Sequence, residues 1–148
     1  MNTMFSPDRQ QRQMEGEVQA DPEFIAFYGT LMNNTDEGLE FVREDHIRGR
    51  MFDVGAFPAV IPSNDGSRVF VEVYKILDPG ILRSFDAYEG YHEADPEASL
   101  YVRKTMPLVG HDDWVWTYIW NRSTADLQPL DHGDWRKVAP MYDRTATI

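Results

Sequence analysis

Between Glu23 and Asn121 the chain is written as short runs crowded with aromatic and β-branched residues: EFIAFYG, HIRGRMFDVG, FPAVIP, SRVFVEVYKIL, LYVRKTMPLVG and DWVWTYIWN. Glycines, prolines and Asn-Asp-Gly at 64–66 separate them. Runs of this length and composition are strand candidates, and such punctuation turns them back on one another. Little room remains for helices. The clearest is PGILRSFDAYE, where Asp78-Pro79 makes a start and Gly90 a stop. A second short helix is expected over Thr35 to Glu44, capped by Asn34 or Thr35, with Leu39 and Val42 on one side. LYVRKTMPLVG and DWVWTYIWN read as an antiparallel hairpin turning near Gly110 to Asp113, and the tail from Asp126 lacks regular signals. The expected fold is α+β: a small, bent antiparallel or mixed sheet closing into a β-barrel, with a few short helices.

The chain has 148 residues, enough for one domain and one core. Residues 1 to 22 are polar and without trustworthy periodicity, which points to a flexible arm ahead of a single domain over residues 23 to 148. With 25 acidic against 14 basic residues and a net charge of −11, neutralising a run of phosphates is disfavoured, so no nucleic-acid partner is expected. There is no cysteine, which removes disulfides, thiolate nucleophiles and thiolate metal sites. No apolar run suits a signal peptide or a membrane span, and a cytoplasmic location is expected, with no membrane partner. The pattern leaves monomer and homodimer equally open.

Glu89 lies four residues after Phe85 and seven after Leu82 on the helix from Pro79, in line with an apolar stripe that also holds Ile81 and Tyr88. An inward carboxylate is driven toward its neutral form by desolvation, which suits acid and base work near neutral pH. Fraying of the last helical turn, or an arginine partner, would instead make Glu89 an ordinary surface or structural group. Glu72 shares a strand face with Phe70 and Tyr74, looking either at a pocket or at water. The segment Tyr28-Gly29-Thr30-Leu31 follows the first strand and is either a plain turn or a place where backbone amides approach an oxygen of a ligand. Trp114, Trp116, Tyr118 and Trp120 share one strand face, which reads as core ahead of a sugar or base platform. His46, His92, His111 and His132 have no metal-ligand spacing, and phosphate-loop, dinucleotide and serine-elbow motifs are missing, so neither metal nor cofactor is expected. The acidic clusters at 92–97 and 111–113 read as solvated loops.

In order, FYGTLM, GRMFDVGAFPAV, VFVEVYKI, LRSFDAYEGY, LYVRKTM and WTYIWN resemble the gamma-glutamylcyclotransferase-like family, in particular its gamma-glutamylamine cyclotransferase branch. The resemblance implies a small barrel of mixed strands and a pocket where the YGTL turn meets a catalytic glutamate. It gives Glu89 the acid/base role, through the (F/L)D-x-(Y/F)-E motif, and gives the amides of Tyr28, Gly29, Thr30 and Leu31 the substrate carboxylate or the developing oxyanion. Glu72, Tyr101, Arg103 and Tyr118 are the further candidates for lining the site. The implied reaction is the closure of a gamma-glutamyl amine or amino acid to 5-oxoproline with release of the amine. A non-catalytic binding module and a glutamate-dependent amide hydrolase are the alternatives. Val71 stands where members of the family often carry glycine before the glutamate of the GEVY strand.

Overall fold

The computed structural model describes residues 21–144, so most of the expected N-terminal arm lies outside the described residues. Strands β1 (Phe24–Phe27), β2 (Leu39–Asp53), β3 (Pro58–Pro62), β4 (Arg68–Ile76), β5 (Tyr101–Pro107), β6 (Trp114–Trp120) and β7 (Gln128–Leu130) join one sheet, and α1 (Ile81–Glu89) crosses from β4 to β5. The order is β3-β2-β4-β1-β6-β5, with β7 added to β2. All pairings are antiparallel except that of β1 with β6, which is parallel. The mixed sheet curls into a half-barrel around one core, with short 3-10 turns at Pro96–Ala98, Trp135–Lys137 and Pro140–Tyr142.

The helix expected over Thr35 to Glu44 does not form; Leu39 onward is β2. Opposite β4 the register slips between Phe41 and Arg43, so Val42 is an extra, bulged residue. The slip breaks the two-residue alternation; Leu39 and Val42, three apart in sequence, imitate a helix, but Leu39 is buried and Val42 exposed. Beyond the bulge the alternation is clean: Asp45, Ile47, Gly49 and Met51 are buried while His46, Arg48 and Arg50 are exposed. Asn34 does cap, but it caps a turn, accepting from the amide of Asp36 at 3.0 Å.

Strand β4 sits between β2 and β1 and is covered on both faces, so every side chain from Val69 to Tyr74 is buried. A solvated face for Glu72 is thereby overturned: its relative exposure is 0%. On β6 the fully buried row is Val115, Thr117 and Ile119, and of the aromatic row only Tyr118 is buried, while Trp114 is exposed. The reason is local. Thr117 donates to the carbonyl of Ala26 on β1, whereas Trp116 and Trp120 are half-buried against Arg103 and Tyr101.

The tail after Asp126, unreadable in sequence, adds β7 to β2 and then folds back. Gly133 makes that possible. Its φ is +60°, and a Cβ there would stand 2.1 Å from the carbonyl oxygen of Arg68. The β5–β6 turn is also pinned, because the buried carboxylate of Asp45 accepts from the amide of Gly110 at 2.9 Å and meets His111 Nδ1 at 3.1 Å. The loop at 111–113 is therefore tied to β2. Among the described residues no cluster of His, Asp and Glu has the arrangement of a metal site, and no described helix is long and apolar enough to cross a membrane.

Candidate active site

Helix α1 begins in a turn where Asp78 Oδ1 accepts the amide of Gly80 at 3.0 Å, and ends at Gly90 in the left-handed region, φ 71°. The amide of Tyr91 then reaches back to the carbonyl of Asp86 at 2.9 Å, closing the last turn. Glu89 is thus held in the helix and does not fray. Ile81 and Phe85 turn into the core, Phe85 meeting Phe27 edge-on at 5.1 Å, and Glu89 follows on the same side, partly buried. Tyr88, placed on that stripe by sequence, is 61% exposed instead, and its hydroxyl sits 2.9 Å from Thr30 Oγ1. A helical residue next to Glu89 points about 100° away from it, which carries Tyr88 over to the YGTL segment.

The Glu89 carboxylate lines a cavity of about 300 Å³. Tyr28, Gly29, Thr30 and Leu31 form one side, Ala56, Phe57 and Pro58 another, and Leu100, Tyr101 and Tyr118 the third. Among the described lining residues, Glu89 is the only carboxylate and there is no basic side chain. No hydrogen bond or ion pair among the described residues takes up its oxygens. Burial therefore acts unopposed and pushes its pKa from 4.5 up to about 7. The arginine partner considered from sequence is not found among the described residues.

The opposite wall supplies donors. The carbonyl of Gly29 accepts the amide of Met32 at 2.9 Å in a tight turn, while the amide hydrogens of Gly29, Thr30 and Leu31 enter no hydrogen bond among the described residues. Gly29 is a glycine for a reason sequence did not reveal: a Cβ there would meet the ring of Pro58 at 2.8 Å, so the YGTL and FPA walls touch through it. Replacing Gly29 by Ala is expected to cost about 1 to 3 kcal/mol as Pro58 is pushed aside, with a lower Tm and weaker ligand binding; a variant matching the parent in both would show that the contact relaxes freely.

Of the four tyrosines among the described lining residues, Tyr88 included, three have their hydroxyl hydrogens already used. Tyr28 donates to the carbonyl of Tyr118 at 2.6 Å, Tyr101 to the carbonyl of Pro58, and Tyr118 to Asp86 Oδ1 at 2.7 Å. Burial, the neighbouring tyrosine and the Glu89 charge all raise the Tyr28 pKa, and burial also leads the rise at Tyr101 and Tyr118. All three stay neutral phenols and shape the wall. Tyr101 also ties β5 to the end of β3, where the sheet would otherwise gape.

Glu72 and Arg103, the two remaining candidates, lie outside the cavity wall. Arg103 binds Asp86 through Nε at 2.8 Å and Nη2 at 3.2 Å and lies over the Trp116 ring at 4.3 Å. Glu72 accepts from the Asn33 amide, Tyr74 and Arg144. Sequence reasoning missed Asp86, which joins α1 to Arg103 on β5 and Tyr118 on β6. Its signal was present, since Asp86 stands three residues before Glu89 and so shares its helix face. Phe57 and Pro58 carried no such signal, because only the closing of the sheet brings them to Glu89.

Comparison with known proteins adds the following. A family model described as gamma-glutamyl cyclotransferase, AIG2-like, matches residues 25–137, more than half of the chain. No curated protein matches the sequence. Among solved structures, protein ytfP from Escherichia coli is similar at TM-score 0.59 and 22% identity, over 78% of this chain and 98% of that one. An uncharacterized protein, PH0828 from Pyrococcus horikoshii, is similar at TM-score 0.59 and 18% identity, over 84% and 98%. An AIG2-like protein from Mus musculus is similar at TM-score 0.50 and 18% identity, over 76% and 88%. At these identities the likeness is one of fold.

Proposed function

The chain belongs to the gamma-glutamyl cyclotransferase, AIG2-like family, and from that premise we propose that it closes the gamma-glutamyl group of an amine or amino acid into 5-oxoproline, releasing the free amine, with Glu89 as general acid and base. The observation that carries the proposal is a carboxylate, lone among the described lining residues and with its pKa raised to about 7, on the wall of an apolar cavity that faces three amides uncommitted among the described residues.

A gamma-glutamyl amine brings its own nucleophile. The α-nitrogen attacks the γ-carbonyl carbon, a C–N bond forms to make the five-membered ring, and the amide C–N bond to the amine breaks. The α-ammonium gives up two protons on becoming the lactam N–H, and the leaving nitrogen gains two on becoming an ammonium. Glu89 is the carrier on hand. Holding the two ends of one molecule in attacking geometry is worth on the order of 10⁵ to 10⁸ M in effective molarity, and proton transfer through a matched carboxyl adds about 10² to 10⁴ in rate. At neutral pH a carboxyl with a pKa of about 7 is present in both forms, so one group serves both transfers. The amides of Gly29, Thr30 and Leu31 would grip the α-carboxylate of the glutamyl head, the cavity having no basic side chain among the described residues to do so.

Ala56, Phe57, Leu31 and Leu100 are uncharged and partly or fully exposed at the cavity edge, where the departing amine would lie. A second carboxylate there would lose water beside Glu89 without meeting a cation. Gamma-glutamyl derivatives of neutral, apolar amines are accordingly expected to react faster than glutathione. A cytoplasmic location and a single domain beginning near Glu23 complete the proposal. Product analysis tests it. Incubation with gamma-glutamyl amines, gamma-glutamyl amino acids and glutathione is expected to yield 5-oxoproline and amine in equal amounts; free glutamate would point to hydrolysis, and binding without product to a ligand-holding module.

A further inference from the structure

Glu72 is the most deeply buried carboxylate described, and it is not among the residues that line the cavity. Oε1 accepts the backbone amide of Asn33 at 2.7 Å and the hydroxyl of Tyr74 at 2.7 Å. Oε2 accepts Nε of Arg144 at 2.9 Å. The hydroxyl oxygen of Tyr74 in turn accepts the amide of Asn34 at 2.9 Å and Nη2 of Arg144 at 3.0 Å. Arg144 lies flat over the Phe41 ring at 3.9 Å. Within the same segment, the carbonyl of Met141 accepts Nδ2 of Asn33 at 3.1 Å.

Three hydrogen bonds of this network end on Asn33 or Asn34, the residues on which the cavity-lining turn leaves the wall. Asn33 has φ +59° and is the only non-glycine residue with positive φ among those described. A side chain in that region is held there by its surroundings, at a cost the surroundings must offset. Glu72 holds the amide of Asn33 and the Met141 carbonyl its side chain, and Arg144 pairs with Glu72, whose buried carboxylate is costly to leave without that partner.

We propose that Arg144, acting through Glu72 and Asn33, is a positioning residue for the substrate-gripping amides of Gly29, Thr30 and Leu31. It rests on the functional reading above, and it assigns to a side chain outside the cavity lining a part in binding the glutamyl head. The acid/base group is not involved. Glu89 stands on α1, moored separately by Asp86 to Arg103 and Tyr118. Loss of Arg144 therefore weakens an interaction made equally in the bound and reacting states, which raises KM and spares kcat.

The test uses Arg144→Met, which keeps a stem over Phe41 and loses the guanidinium, and Arg144→Lys, which returns the charge. With a gamma-glutamyl amine as substrate, Arg144→Met is expected to raise KM at least about 10-fold with kcat within about 3-fold of the parent, and Arg144→Lys to recover most of that loss. The pH midpoint of kcat is expected to stay where it was. Amide hydrogen exchange at residues 29–34 is expected to quicken in Arg144→Met ahead of the rest of the sheet. A KM unchanged in Arg144→Met, or a fall in kcat with a displaced pH midpoint, overturns the proposal. If the parent turns over no gamma-glutamyl compound, the functional reading fails, and exchange decides the positioning claim by itself: faster exchange confined to residues 29–34 upholds it, and unchanged exchange ends it.

Discussion

Replacing Glu89 with Gln is expected to lower kcat by at least about 10² while the protein folds as before. Glutamine keeps the size of the side chain and its place after Phe85, but neither takes nor gives a proton. The oxygens of Glu89 enter no hydrogen bond among the described residues, so no buried partner is orphaned by the change. The same variant carries a stability signature. With its pKa raised to about 7 in the folded protein, against about 4.5 in the unfolded chain, Glu89 binds its proton more tightly when folded. Its contribution is complete below pH 4.5 and is lost as the pH rises through 7, a difference of roughly 3 kcal/mol. Glu89→Gln is expected to lose this dependence and to exceed the parent in stability at pH 8 relative to pH 4. Chemical denaturation at the two pH values reads it directly; curves for parent and variant that run parallel across that window would remove the desolvated carboxylate from the account.

Asp86→Ala is expected to be the more damaging change to the fold. Asp86 takes both Arg103 nitrogens and the Tyr118 hydroxyl, and the side chains of the ion pair are only 15% and 12% exposed. Removing the carboxylate leaves the Arg103 charge desolvated and unanswered, which costs about 3 kcal/mol and on the order of 10 °C in Tm for a domain of this size. Activity is also expected to fall, by about 10-fold, because α1 loses the attachment that aims Glu89 at the cavity. Asp86→Asn retains an acceptor for Tyr118 and is expected to fall between parent and alanine. Asp86→Ala with a Tm within 2 °C of the parent, checked by calorimetry, would show that water readily takes the place of the carboxylate.

How much of this was legible in the residues follows from where each signal is carried. The helix with Glu89 on its inner side was readable because spacing, start and stop all agree over a short stretch, and the β5–β6 hairpin was readable for the same reason. Strand β2 was misread near its start because Leu39 and Val42 stand at a helical spacing where the bulge at Val42 interrupts the two-residue alternation. Strand β7 was missed because Gln128-Pro129-Leu130 has no alternation, and its place is set by Gly133 passing against the Arg68 carbonyl.

The site divides along the same line. Tyr28 to Leu31, Tyr101 and Tyr118 line the cavity with Glu89. Arg103 and Glu72, equally conspicuous in sequence, lie outside the lining, since a charged residue on a strand declares its alternation but not which layer covers it. Phe57, Pro58 and Arg144 became visible only in three dimensions, because each acts across chain separations that no local pattern records.

The central physical claim is that Glu89 is a carboxyl held beside an apolar cavity with no charge partner among the described residues, and the most direct measurement is its own titration. Carbon-13 labelling of the glutamate side chains, with Glu89→Gln to assign the signal, follows the carboxyl from pH 3 to 9. The account requires a midpoint near 7. A midpoint in the ordinary range near 4.5 would mean that water or a cation reaches the group freely, and the acid/base role assigned to it would not stand.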